Sequence, residues 1–245
     1  MKTKIIPSIN AQIFEEIKEK INLLKDLTDH FHLDIASLEF TGYQTWQNPE
    51  DLTKIENVTF DLHLMLSLKP QEILKWAKEN VKTLILHLEA SQNPDGLLKM
   101  AKKTKKKIFI AWSPDVEFDF IKKYLKYVDG VLILGVRPGR AGQRFLEETY
   151  ERIENLKSNP APESYTRAKH GIGSRTVLRS GSGQSTVQGR LQKRKLKLMI
   201  DGGVNEKNFQ KILSYEPDFI VMASAIYNSE NPKEKYLWFL SQIKN

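Results

Sequence analysis

Four polar residues stand at the ends of predicted strands, where side chains of their types are suited to bind a metal ion. His32 and Asp34 alternate with apolar residues in FHLDI (31–35), so the two-residue period of a strand puts both on one face. His63 has the same setting in DLHLM (61–65), and Asp201 ends LMID (198–201) before two glycines. Two imidazoles and two carboxylates suit zinc, iron, manganese or cobalt. A buried structural polar pair is the alternative for any one strand, but four coincidences favour one divalent metal ion.

Eight β-branched or aliphatic runs alternate with charged amphipathic stretches, the pattern of βα units around a parallel sheet. The predicted strands lie near residues 4–9, 31–35, 58–65, 83–89, 107–112, 130–136, 197–201 and 218–222. The predicted helices lie within 12–27, 70–80, 95–105, 117–127, 145–156 and 206–215. This count predicts a closed (β/α)8 TIM barrel as a single domain over 1–245, with an open doubly wound sheet as the competing fold. Polar residues at the carboxyl ends of scattered strands favour the barrel.

Composition excludes several classes of protein. The chain has 245 residues, of which 40% are hydrophobic, enough for a full core, and it has no cysteine. A disulfide framework, a thiolate zinc site and a cysteine nucleophile are therefore excluded. The N-terminal MKTKIIPSIN leads into a charged amphipathic stretch rather than a signal peptide, and no apolar run approaches the roughly 18 residues needed to span a bilayer. We expect a cytoplasmic protein that does not insert into membranes.

The net charge of +8 comes from one segment. Nine of the 38 Lys and Arg residues but one of the 30 Asp and Glu residues lie within 157–195, so the remaining 29 basic and 29 acidic residues cancel. Residues 158–194 are rich in Gly, Ser, Gln and Arg with hardly any large apolar side chain, which predicts an exposed, disordered insertion between the sixth helix and the seventh strand. Because charged loops are usually only solvated and this one has few aromatics, we do not expect it to bind nucleic acid.

Glycine-containing turns follow the last three predicted strands, namely RPGRAGQ (137–143), DGGV (201–204) and MASA (222–225). Loops after the seventh and eighth strands of a barrel, with the start of a short helix, commonly bind phosphate through backbone amides. Any one of these glycines could merely permit a tight turn, but the set predicts a phosphorylated substrate.

Seven stretches together carry a family resemblance. In chain order they are IIPSINA, FHLDI, FDLHLM, LHLEA, VDGVLILGVRPGRAGQRF, LMIDGGV and DFIVMASAI. With them the chain resembles the ribulose-phosphate 3-epimerase family over nearly its whole length outside the basic insertion. The resemblance implies interconversion of D-ribulose 5-phosphate and D-xylulose 5-phosphate in the pentose phosphate pathway, and it suggests a homo-oligomer.

The resemblance also implies roles for particular residues. One divalent ion would be held by His32, Asp34, His63 and Asp201. Asp34 and Asp201 would be the catalytic pair, because inversion at C3 requires a proton to leave one face and another to arrive on the opposite face. The metal would stabilise the enediolate between the two transfers. The substrate would contact Ser8, His63, Gly139, Arg140, Ala141, Gly142, Gly202, Gly203, Ala223 and Ser224.

The chain also departs from the family pattern, which leaves alternatives open. Ala36-Ser37-Leu38 replaces the usual Met-Asp-Gly, Leu134 replaces a methionine, Arg137 replaces Asn of the NPG loop, and Ala141 and Ala223 replace glycines. One alternative is therefore a related ketose-phosphate 3-epimerase such as one for allulose 6-phosphate. Another is a catalytically impaired barrel that binds nucleic acid through its basic insertion.

Three further polar residues belong to no assigned role. His87 and Glu89 share one face of the predicted fourth strand, either near the site or as polar partners of the core. His30 is predicted to be exposed.

Overall fold

The structure, a computed structural model, describes residues 2–159 and 195–243, together with the backbone of 165–166 and 192–193. In chain order the strands are β1 (Lys4–Asn10), β2 (His30–Ala36), β3 (Thr59–Met65), β4 (Val81–Leu86), β5 (Lys107–Trp112), β6 (Gly130–Leu134), β7 (Tyr165–Thr166), β8 (Gln192–Lys193), β9 (Lys197–Asp201) and β10 (Phe219–Met222). All strands except β7 and β8 pair in parallel and close into a barrel in the order β1-β2-β3-β4-β5-β6-β9-β10. The two short strands pair with each other, antiparallel. The predicted TIM barrel is confirmed, with β9 and β10 as its seventh and eighth strands.

Helices connect the barrel strands and cover their outer faces. They are α1 (Phe14–Leu24), α2 (Leu38–Thr41), α3 (Ile73–Trp76), α4 (Pro94–Lys103), α5 (Phe118–Lys122), α6 (Glu148–Ser158), α7 (Phe209–Ser214), α8 (Ser224–Tyr227) and α9 (Pro232–Gln242). The 3-10 turns are Pro49–Lys54, Pro70–Glu72, Leu88–Ala90 and Leu125–Tyr127. Both α4 and α9 begin with an Asn cap followed by Pro, since the side chains of Asn93 and Asn231 accept backbone N–H groups of the first turn. No helix among the described residues is long and apolar enough to cross a bilayer.

Most of the barrel interior is apolar, but β2 and β3 contribute polar side chains to it. The inner cluster consists of Ile6, Ile85, Phe109, Ala111, Leu132, Leu134, Met199 and Val221, with Phe219 packed against it. Outward residues of β2 and β3, such as Leu33 and Leu62, instead join the larger core between strands and helices. The alternate residues of these two strands include four buried polar side chains, His32, Asp34, Asp61 and His63. The polar side of the barrel interior is therefore built by two neighbouring strands.

Strand register then sets which of these side chains meet. Asp34 of β2 lies opposite His63 of β3, and His32 lies opposite Ser8 of β1. On the other side of the barrel, Asp201 of β9 lies opposite Leu134 of β6 and Val221 of β10. Since all strands are parallel, these residues lie at the same carboxyl end of the barrel.

Three details correct or limit the sequence predictions. β4 ends at Leu86, so Glu89 lies in a 3-10 turn rather than on the strand. His30 is half-buried rather than exposed, because its Nε2 lies 2.9 Å from Asp61 Oδ2 and its Nδ1 lies 2.8 Å from Thr59 Oγ1. Helix α6 ends at Ser158; the predicted disorder of 158–194 otherwise concerns residues that lie largely outside those described.

Candidate active site and metal centre

The four predicted ligands converge at the carboxyl end of the barrel. His63 Nδ1 lies 3.1 Å from Asp34 Oδ1 and 3.6 Å from Asp201 Oδ2, while His32 Nε2 lies 3.3 Å and 3.9 Å from the same two oxygens. One potential ligand atom from each of the four residues lies within 4.8 Å of the others. All four residues are buried. Register and inward orientation thus bring together a compact set of two nitrogens and two oxygens.

This donor set fits a divalent cation. Neither ring nitrogen of the fully buried His32 makes a hydrogen bond within the described part of the chain. Buried polar atoms without a partner are uncommon, because they lose their hydration without compensation. A cation between His32 and the two carboxylates would satisfy the nitrogen and offset the repulsion between the aspartates. Two imidazoles with two carboxylates suit the first-row divalent ions.

The two carboxyl groups have opposite pKa shifts. Burial by itself raises the pKa of Asp34, but the adjacent rings of His32 and His63 outweigh burial and hold that pKa well below its usual range. Burial, together with the nearby negative charge of Asp34, raises the pKa of Asp201 to about 7. Near neutral pH, Asp34 is therefore ionised while Asp201 exchanges its proton readily. Burial also lowers the pKa of His63 to about 4, which keeps that ring neutral as a metal ligand must be.

Polar contacts on the side away from the four-residue cluster orient the Asp34 carboxylate and the His63 ring. Ser8 Oγ donates to Asp34 Oδ2 at 2.9 Å, which leaves Asp34 Oδ1 facing the histidines. His63 Nε2 lies 2.9 Å from His87 Nε2, and His87 Nδ1 lies 2.7 Å from Glu89 Oε1. Ser113 Oγ donates to the same Glu89 oxygen at 2.7 Å.

This chain of contacts determines the tautomers. If His63 Nδ1 faces a metal, its Nε2 carries the proton and donates a hydrogen bond to His87 Nε2. His87 must then donate from Nδ1, where Glu89 is the acceptor. Both residues are therefore polar partners of the site. Ser113 was not anticipated from the sequence, where its only signal is a hydroxyl directly after β5.

The loop 137–143 covers the cavity above the cluster. Asn10 Nδ2 donates to the carbonyl of Gly139 at 3.1 Å, and Gln143 Nε2 donates to the carbonyls of Arg137 and Arg140. The Arg140 guanidinium lies 5.3 Å from the ring centroid of Tyr43. The cavity below the loop is lined on its apolar side by Met65, Leu134, Val136, Val221 and Met222. The predicted substrate residues 139–142 therefore border the same cavity as the two aspartates.

Four more of the predicted substrate-binding residues border this cavity, whereas Ser8 lines an adjoining one. Gly202 and Gly203 follow β9, and Ala223 and Ser224 lead into α8. Gly203 has φ +69°, and a Cβ there would lie 2.7 Å from backbone atoms of Phe145. Both the backbone conformation and the lack of space therefore require glycine at this position. Ala223 has φ −109°, outside the positive-φ range that favours glycine, so the sign of φ does not require glycine at this position.

The fold and its site define a TIM-barrel protein with a buried two-histidine, two-aspartate centre at the carboxyl ends of the strands. A model of the Ribulose-phosphate 3 epimerase family matches residues 4–172. This match covers more than half of the chain, which therefore belongs to the ribulose-phosphate 3-epimerase family, a family of carbohydrate epimerases.

Relatives agree with this assignment. The ribulose-phosphate 3-epimerase of Buchnera aphidicola subsp. Baizongia pistaciae is 25% identical, covering 97% of this chain and 94% of its own. That of Aquifex aeolicus is 24% identical, covering 93% and 90%.

Solved structures with lower identity share the fold. KGPDC from Streptococcus mutans has a TM-score of 0.65 at 7% identity, and 3-hexulose-6-phosphate synthase from Salmonella typhimurium has 0.63 at 11%, each covering 100% of both chains. At these identities the likeness supports the barrel alone.

Proposed function

We propose that this protein is a metal-dependent epimerase that interconverts D-ribulose 5-phosphate and D-xylulose 5-phosphate by proton transfer at C3. Membership of the family supports the reaction type. The observation that carries the mechanism is that Asp34 and Asp201 line one cavity, each with a carboxylate oxygen no more than 3.9 Å from nitrogens of the same two histidine rings. A two-base epimerase requires one carboxyl group that accepts a proton and one that donates it.

Each aspartate has one task in a given direction. The Asp34 carboxylate takes the proton from C3 as the C–H bond breaks, and an enediolate forms across C2 and C3. Asp201, protonated at the start, gives its proton to the opposite face of C3. Asp34 then returns its proton to solvent and Asp201 regains one, and in the reverse reaction the two roles exchange. In this proposal the two carboxyl groups lie on opposite faces of the sugar.

The other residues position these groups and the substrate. Ser8 holds Asp34 Oδ2, so that the carboxylate cannot rotate away from the cavity. A divalent ion held by His32, His63 and the two aspartates would supply Lewis acidity toward the oxygens next to the reacting carbon. The apolar lining that includes Met65 and Met222 excludes water, which strengthens electrostatic interactions at the site. We also propose that residues 139–142 contact the substrate, as the family resemblance implies.

The proposal extends to the setting of the reaction. As a family member acting on these sugars, the protein would serve the pentose phosphate pathway in the cytoplasm. We also propose that residues 1–245 form one domain and that the protein is a homo-oligomer.

The test combines metal analysis of the purified protein with an epimerisation assay on D-ribulose 5-phosphate. We expect one divalent ion per chain, and a rate reduced by about 100-fold or more for both Asp34→Asn and Asp201→Asn. Asp26→Asn is the matched control. Asp26 is exposed and pairs with Lys233, so this variant should keep the wild-type rate. In deuterated water, wild-type product acquires deuterium at C3.

Absence of bound metal, or wild-type rates in both active-site variants, would refute the proposal. A parallel assay on D-allulose 6-phosphate decides between the two ketose phosphates. Faster turnover of that substrate would assign the chain to the alternative epimerase. Ala36 and Ala141 are the replacements that would then determine the preference.

A further inference from the structure

A second cavity adjoins the candidate active site on the side of α1 and α8. It has an empty volume of about 350 Å³, and its lining residues are Ser8, Asn10, Lys20, Ala141, Gly142, Ala223, Ser224, Tyr227 and Asn228. Five of these, Asn10, Ala141, Gly142, Ala223 and Ser224, also line the cavity that contains the two aspartates. The two cavities are therefore neighbouring parts of one cleft, and no carboxylate among the described residues lines the second.

The cation in this cavity is Lys20, whose side chain extends from α1. Its Nζ donates a hydrogen bond to the carbonyl of Asn10 at 2.6 Å, at the end of β1. Within residues 2–159 and 195–243, no carboxylate oxygen lies within ion-pair distance of this ammonium, and the carboxylates of Glu16 and Asp34 interact with it only over a longer distance. The side chain is half-buried, and burial lowers the pKa of Lys20. A half-buried ammonium with one carbonyl partner has two further N–H donors, and an anion in this cavity would be a strong acceptor for them.

Tyr227 points to the same conclusion from the opposite wall. Its hydroxyl is buried and has no hydrogen-bond partner among the described residues. Lys20 Nζ lies 5.9 Å from the centroid of the Tyr227 ring, and both residues line this cavity. The lining also contains the side chains of Ser224 and Asn228. Ser, Asn and Lys side chains around a space that no carboxylate of the described residues lines favour a ligand rich in acceptor oxygens and negative charge.

We propose that Lys20, with Tyr227 opposite it, binds the phosphate group of the substrate and makes this protein selective for phosphorylated ketoses. The inference rests on the proposed function for the identity of the sugar. It adds a charged side chain to a subsite for which the family resemblance supplies residues 202–203 and 223–224. Lys20 contributes to substrate affinity and does not contact the carbon that reacts.

The experiment compares Lys20→Met and Lys20→Arg with the wild type and with Lys18→Met. Lys18 is the matched control, because it lies on the same helix but is exposed and paired with Glu15. The probes are D-ribulose 5-phosphate in steady-state kinetics and inorganic phosphate, measured both as an inhibitor and by calorimetric titration of the resting enzyme.

For Lys20→Met we expect KM, and the dissociation constant of inorganic phosphate, to rise by about 10- to 100-fold, the usual worth of a hydrogen bond to a charged group. We expect kcat to change by less than about threefold, since uniform binding is lost rather than chemistry. Lys20→Arg retains the charge and stays within about fivefold of wild type in KM. Lys18→Met matches wild type in both measurements.

Tyr227→Phe provides a second test that removes one oxygen only. We expect weaker phosphate binding by about threefold to tenfold. We also expect unchanged or higher thermal stability without phosphate, since a buried hydroxyl without a partner is removed. This variant keeps the proposal testable even if Lys20→Met folds poorly.

The proposal is overturned if Lys20→Met and Lys18→Met bind inorganic phosphate equally well, or if the wild type binds none. The binding measurement does not depend on turnover. A wild type that binds phosphate through Lys20 but does not epimerise D-ribulose 5-phosphate would refute the proposed function and support this subsite.

Discussion

Asp201→Asn is expected to stabilise the metal-free protein at neutral and alkaline pH while abolishing its activity. The carboxyl group of Asp201 is buried next to Asp34, and these two causes raise its pKa to about 7 from an ordinary value of 3.8. Between these two pH values the folded state holds a proton that the unfolded state has lost. Stability therefore falls as the pH rises through this window, and the loss is complete above pH 7.

The size of the effect follows from the shift. A displacement of about three pH units corresponds to about 4 kcal/mol, at 1.36 kcal/mol per unit. The neutral Asn side chain does not ionise, so the advantage of the variant grows from about 2 kcal/mol at pH 5 to about 4 kcal/mol at pH 8. The lowered pKa of Asp34 has the opposite sign, but its contribution is lost only as the pH falls below the ordinary value. It does not enter the window between pH 5 and 8.

The assay is urea unfolding of wild type and Asp201→Asn after removal of metal by a chelator, at pH 5 and pH 8. Asp26→Asn is the control, because that exposed carboxyl is ionised throughout the range and the difference from wild type should not change with pH. A divalent ion should stabilise the wild type far more than the Asn variant at pH 8. A variant no more stable than wild type at pH 8, or a gap of constant size, would contradict the electrostatic reasoning.

Two further variants test the surroundings of the site. Glu89→Gln should weaken divalent-metal binding by about 10- to 100-fold, because a neutral amide replaces the charged carboxylate that accepts from His87 Nδ1 and its NH2 group competes for the same position; cobalt absorption titration measures this. Arg152→Met should cost about 2 kcal/mol in urea unfolding, because its guanidinium donates to the carbonyls of Trp112 and Leu134 at 3.1 and 2.6 Å.

Exposed residues provide the controls for these variants. Glu79→Gln should bind cobalt as the wild type does, and equal affinity of Glu89→Gln would show that the tautomer of His87 is held in another way. Lys157→Met, on the same helix as Arg152, controls for the loss of a cation. An Arg152→Met protein as stable as Lys157→Met would mean that water replaces the guanidinium at both carbonyls.

Much of the barrel could be predicted because its signals are local. The bounds of β5 and β9 match the predicted ones, since both are short apolar runs that begin after a cluster of lysines. The end of β4 was misplaced by three residues, because LHLEA continues to alternate although the chain turns at His87. The predicted helix 70–80 contains only the single turn α3 after a 3-10 turn, because apolar spacing alone does not show where a short connection ends.

For the site, the residue types and their spacing determined which side chains share a strand face. His32 with Asp34 follows from the period of two, and the similar positions of His63 and Asp201 at strand ends predicted the four-residue set. Distances and pKa shifts were decided only by the tertiary structure, since both depend on register and burial between strands far apart in sequence. Lys20 shows the same limit. In the sequence it is one lysine among several on an amphipathic helix, and only the packing of α1 beside β1 and α8 brings its ammonium to Asn10 and Tyr227.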